Sequence, residues 1–213
     1  MNIEPSVLTQ DLLNDFGLIL YEISNCRRQI AAYIAFGQIA KAHKNTEINN
    51  LCGWSQDALL RLIVIDSFKI FDGSREIIKE IVSQTKYSDI VIDLFKAAEL
   101  DRKCKELNKI ILPWRPHRNK RFAHMESSPL ETCSLDLIPL ASSLKSLSTS
   151  VGFVMHYLTN PRYIEQMNNK DQALFVLTDS EVSKNAFHDQ TKDDRVIKMI
   201  NKLVQKSIPT MTT

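Results

Sequence analysis

ALLRLIVIDSFKIF, from Ala58 to Phe71, decides the fold class. Its LIVI centre also suits a buried strand, because a short apolar run does not by its period separate strand from helix. The segment is longer than a strand of that kind, and the helix-forming residues around it favour a helix from Trp54 to Phe71. Ser55 or the loop before it can cap that helix. With little polar face, the helix is expected to be central and buried.

Outward from this segment the same period recurs. Leu12, Phe16, Ile19, Leu20, Ile23, Ile30, Tyr33, Ile34 and Ile39 return at steps of three and four and predict a helix over 8–44. Asp11 and Asp15 near its start suit the helix dipole. KNTEINNLCGW then predicts a polar break. After Phe71, the DGS of Asp72–Ser74 predicts a second break before a short helix over 75–84. Ser88 is a plausible N-cap for one long helix through Ile90, Leu94, Ala98, Leu107 and Ile111, which Pro113 ends or bends. Pro116 suits the first turn of a new short helix, stopped by Ser127–Pro129. Residues 131–158 predict a further helix with a kink near Pro139, ended by Asn160 and Pro161. Beyond it, DQALFVLTDSEVSKNAF is ambiguous between helix and strand, and DDRVIKMINKLVQKS predicts a final amphipathic helix. The expectation is all-α: an up-and-down helical bundle over 1–160 and a C-terminal helical extension over 161–213, with the last residues, from Pro209, disordered.

The 213 residues suffice for a sizeable core. Five glycines and seven prolines are few, which agrees with helix. Lys and Arg total 27 against 25 Asp and Glu, so net charge alone points to no nucleic-acid or membrane partner; a basic surface has to come from local clustering. Cys26, Cys52, Cys104 and Cys133 lack the close spacing of a zinc or redox motif and read as thiols of a reducing compartment. The first residues show no signal pattern, and no uninterrupted apolar run approaches a membrane span, so a cytoplasmic protein is expected.

The clustering occurs at RPHRNKRFAHMES, Arg115–Ser127, where Arg115, His117, Arg118, Lys120, Arg121 and His124 crowd around Pro116. Such a helix start would offer free backbone N–H groups and guanidinium groups to an anion, and phosphate suits arginine's paired donors best. A histidine there can exchange protons near neutral pH. Arg118 and His124 stand six residues apart, roughly 120° around a regular helix and about 9 Å along it. A site using both needs a bent helix or a second copy of the chain, which points to a homodimer. Asp66 and Asp72 lie in or beside the apolar helix. A buried salt bridge to Arg61 or another base is the simpler role for them, and orienting Arg118 the alternative. Trp114 reads as a core residue, with base stacking the alternative. His43, His156 and His188 lack ligand spacing, and no metal site or cofactor is expected.

RNKRFAH, with Arg118, Asn119 and five residues between Arg118 and His124, resembles the signature of the HEPN superfamily (higher eukaryotes and prokaryotes nucleotide-binding domain). The order of LLRLIVIDSFKIFD, a further helix and then this motif looks most like its abortive-infection branch, over about residues 10–160. The resemblance implies a metal-independent endoribonuclease that acts as a homodimer in phage defence or as the toxin of a toxin–antitoxin pair. It implies proton transfer by His124 and charge stabilisation by Arg118. Asn119 would orient the phosphate or His124, and Arg115, His117, Lys120 and Arg121 would bind RNA. Related toxins neutralised by AMP transfer carry a tyrosine two places after the histidine; Glu126 stands there, so an antitoxin would have to act otherwise. The alternative is a non-catalytic helical module that binds RNA, a nucleotide or a protein partner.

Overall fold

A computed structural model describes residues 6–42, 45–83, 89–119, 136–159, 198–200 and 202. The elements are α1 (Ser6–Ala42), α2 (Thr46–Ser83), α3 (Asp89–Ala97), α4 (Leu100–Ile111), a 3-10 turn (Leu112–Trp114), α5 (Arg115–His117) and α6 (Leu137–Thr159). Lys198, Met199 and Ile200 are also helical. No strand occurs among the described residues, so the all-α expectation holds.

The bundle is written into the chain as a 3-4 spacing repeated on four helices. On α1 the buried set is Leu12, Phe16, Ile19, Ile23, Cys26 and Ile30, and on α2 it is Ile63, Ser67, Ile70, Ser74, Ile77 and Ile81. The sets run in opposite directions. Contact between Cys26 Sγ and Ser67 Oγ at 3.5 Å fixes their register, which puts Leu12 level with Ile81 and Ile30 level with Ile63. α4 continues the rule with Leu100, Cys104, Leu107 and Ile111, and the 3-10 turn adds Trp114. α6 does so with Leu140, Leu144, Leu147, Val151, Val154 and Leu158. Such stripes pack as antiparallel bundles, ridges into grooves. α1 packs on α2 and α6, and α4 packs on α2 and α6, so the four long helices close a ring around one core.

Three boundaries differ from expectation, each for a local reason. α2 starts at Thr46, well before Trp54, because Asn45 caps it: its Oδ1 accepts from Glu47 N–H at 2.8 Å and from Ile48 N–H at 3.3 Å. α2 then runs unbroken through Asp72–Ser74. Glycine within a helix costs about 1 kcal/mol, but the buried period on either side of Gly73 (Phe71, Ser74, Ile77) holds the backbone helical. The third difference is a break inside the helix expected to run from Ser88 to Ile111. Glu99 turns to φ 52° and separates α3 from α4. Pro139 makes no kink, because Asp136 caps α6 and the proline falls in the first turn, where its missing N–H has no partner to lose.

Leu137–Leu158 of α6 is long and apolar enough to cross a membrane by length and composition. The sequence expectation passed over it because Ser, Thr and Lys interrupt the run. Its buried leucines and valines form one wall of the bundle core. The 161–213 extension falls almost wholly outside the described residues, as do Cys133, His43 and His188.

Candidate functional site

Two prolines shape the exit of α4. Pro113 and Pro116 lack the N–H groups that an α-helix needs at those positions, and the chain tightens instead of ending. The backbone amide of Arg115 donates to Leu112 O and that of Arg118 to Arg115 O, both three residues back. In such a turn side chains three apart eclipse each other. Arg115 and Arg118 therefore face one way. Of the amides around Pro116, those of Arg115 and Arg118 are already bonded, and the two guanidinium groups are what these residues offer to an anion.

Both guanidinium groups lie over the ring of Phe68 on α2, at 5.0 Å for Arg118 and 6.0 Å for Arg115. Phe68 is 0% exposed beneath them. The Nη1 of Arg118 also stands 3.6 Å from Asp72 Oδ2. This is an ion pair too long for a direct hydrogen bond, and with Arg118 36% and Asp72 50% exposed it contributes at most about 1 kcal/mol to stability. Stacking on an aromatic face adds about 0.5–2 kcal/mol. The effect on geometry is larger than on energy: the guanidinium is fixed at two points while part of it stays open to solvent. Asn119 beside it is exposed and His117 is half-buried.

Asp66 and Asp72 take different roles. Asp66 is the buried structural acid: Gln29 Nε2 donates to its Oδ2 at 2.7 Å, and Lys69 Nζ lies 3.5 Å from its Oδ1. The expected partner Arg61 instead pairs with Asp57 at 2.6 Å. Asp72 is the acid that holds Arg118. Trp114 is buried in the core. Burial pushes the Cys26 thiol up to about 12 and the Cys104 thiol up to about 11, so neither supplies a thiolate at neutral pH.

Lys120, Arg121 and His124 lie outside the described residues. Of the seven site residues expected from sequence, Arg115, His117, Arg118 and Asn119 share this one turn. Sequence reading missed Phe68, the platform for two arginines, and Arg75. The usable signal was period: Phe68, Asp72, Arg75 and Lys79 recur at four, three and four on a single face of α2. A separate cavity of about 320 Å³, where the end of α2 meets α3 and α4, is walled by Ile81, Val82, Ile92 and Phe95 and has little polar lining. Among the described residues no group of three His, Cys, Asp or Glu side chains is placed to hold a metal ion. No family model, no curated protein and no solved structure matches the chain.

Proposed function

We propose that this chain is a metal-independent endoribonuclease of HEPN type, acting as a homodimer in defence or as the toxin of a toxin–antitoxin pair. The observation that carries the proposal is Arg118 pinned between Asp72 and Phe68 with its guanidinium still partly open. A group held this way meets a phosphodiester without first being ordered, the condition for stabilising charge in a transition state. The ribose 2′-oxygen attacks the adjacent phosphorus, the bond from phosphorus to the 5′-oxygen breaks, and a cyclic phosphate and a 5′-hydroxyl result. His124 moves the proton, Arg118 meets the negative charge of the phosphorane, and Asn119 orients the phosphate or His124. Arg115, His117, Lys120 and Arg121 draw the RNA backbone in.

A second copy of the chain has a face to dock on. Leu51, Trp54 and Leu62 on α2 are 58%, 74% and 46% exposed. Trp54 and Asp72 share one side of α2 five turns apart, about 27 Å, so a copy seated on the tryptophan covers the flank that carries Arg118. Leu51, Trp54 and Leu62 fall within about 80° of one another around α2, and apolar side chains exposed on one side of a helix support an association surface there.

The purified chain is expected to cut single-stranded RNA in excess EDTA and to leave cyclic-phosphate and 5′-hydroxyl ends. Intact RNA, or products ending in a 3′-hydroxyl, would contradict the proposal. The pairing of Arg118 with Asp72 also favours a second reading, binding without cleavage, since an arginine already partnered is less free to serve chemistry. RNA retained without products over a range of salt concentrations would select it.

A further inference from the structure

Beyond Arg115, between α2 and α4, lies a groove of about 440 Å³. Phe71 forms part of its floor, Arg75 and Lys79 line the α2 side, and Lys105 and Asn108 line the α4 side, with Arg115 at one end. Four cations and one carboxylate, that of Asp101, thus border one concave surface. Two are already partnered: Lys79 with Glu76 at 2.6 Å, and Lys105 with Asp101 at 2.5 Å. Arg75 and Arg115 have no carboxylate within ion-pair distance among the described residues. The Oδ1 of Asn108 is buried with no hydrogen-bond donor among the described residues, so a groove ligand reaches it once the side-chain amide turns outward.

These features ask for different things from a ligand. Two unneutralised guanidinium groups at the surface of one groove ask for an anion with several oxygens, and arginine prefers phosphate to chloride or a single carbonyl. The Asn108 oxygen asks for a donor, which a phosphodiester lacks and a ribose hydroxyl has. A nucleotide unit of RNA supplies both within one residue. Arg115 and Arg118 stand three residues apart across α5, about 4.5 Å along its axis. That separation is on the order of one nucleotide of extended strand, so a strand whose scissile phosphate meets Arg118 carries its neighbour toward Arg115 and the groove.

We infer that the groove between α2 and α4 is a second nucleotide subsite, where Arg75 and Arg115 hold a phosphate flanking the one at Arg118 and Asn108 Oδ1 accepts from a ribose hydroxyl. The inference rests on the ribonuclease proposal for its direction along the strand, and it adds a residue, Arg75, that lies outside the basic turn. Lys79 and Lys105 raise the local potential around the groove.

The test is fluorescence anisotropy with a labelled oligouridylate, in a His124→Ala background so that binding is read apart from cleavage. Arg75→Ala should raise Kd about tenfold at low salt and reduce the slope of log K against log salt by about one. Arg75→Lys should recover part of the loss. Lys145→Ala, on α6, should change nothing, and thermal melts should match, since Arg75 and Lys145 are exposed. The matching oligodeoxythymidylate should bind several-fold more weakly, and Asn108→Leu should shrink that difference. Unchanged Kd and salt slope in Arg75→Ala would overturn the inference. Equal RNA and DNA affinity would overturn the hydroxyl contact, and inorganic phosphate competing as well as the oligonucleotide would overturn the nucleotide assignment. If binding depends on Arg75 while the parent leaves RNA intact, the groove stands and the nuclease proposal fails. If RNA is cut but Arg75 is indifferent to binding, the reverse holds.

Discussion

Arg118→Ala is expected to lower kcat/KM for RNA cleavage by about 100- to 1000-fold, the range seen when a preorganised donor to a developing anion is removed. His124→Ala is expected to leave no measurable cleavage. Arg118→Lys should restore little: an ammonium is a point charge that neither stacks flat on Phe68 nor presents two donors to a phosphoryl group. Asp72 is assigned a positioning role, because what it touches is Arg118. Asp72→Asn should therefore lower kcat by about tenfold with KM nearly unchanged, the signature of lost transition-state alignment. Single-turnover kinetics on a defined RNA oligonucleotide check all four. Arg118→Ala cutting at the parental rate would remove the guanidinium from the chemistry.

Phe68→Ala is expected to destabilise the fold by about 3–5 kcal/mol, the usual cost of truncating a fully buried phenylalanine. For a chain of this size that lowers Tm by roughly 10 °C or more. Phe68 fills core volume and also carries Arg115 and Arg118 on its ring, so the alanine variant confounds the two effects. Phe68→Leu separates them. Leucine keeps most of the apolar contact and should cost about 1–2 kcal/mol, less than alanine because it leaves a smaller cavity. It offers no aromatic face, however, and cleavage should fall well below what a stable fold would otherwise retain. Thermal melts beside cleavage rates of both variants give the answer. Parental activity in Phe68→Leu would show that the ring is packing alone.

How far such residues could be read from sequence depends on which contacts are local. The all-α class was legible because Leu12 through Ile30, Ile63 through Ile81 and Leu140 through Leu158 carry their 3-4 period openly. The break at Glu99 was not, since a left-handed residue that is not glycine or asparagine gives no compositional warning. The continuation of α2 through Gly73 was hidden for the opposite reason. A local turn signal was outweighed by burial against α1, where Ile19 lies 3.9 Å from the place a Cβ would occupy. The acid that holds Arg118 was narrowed to two. Asp66 and Asp72 are six residues apart and so diverge by roughly 120° on α2, which allows only one to face the exit of α4. Choosing between them takes the packing of α4 on α2, a contact more than forty residues long in sequence. Arg75 escaped notice because its neighbours on the groove come from a different helix.

The central claim is that one phosphodiester is cut between Arg118 of one copy and His124 of another. Mixing two inactive proteins, Arg118→Ala and His124→Ala, tests it most directly. After unfolding and refolding together, about half the re-formed dimers are mixed, and each mixed dimer keeps one site with both groups intact. The account predicts that the mixture regains RNA cleavage on the order of a quarter of the parental rate while each variant alone stays silent. A mixture as silent as its components, with mixed dimers shown to be present, would contradict it.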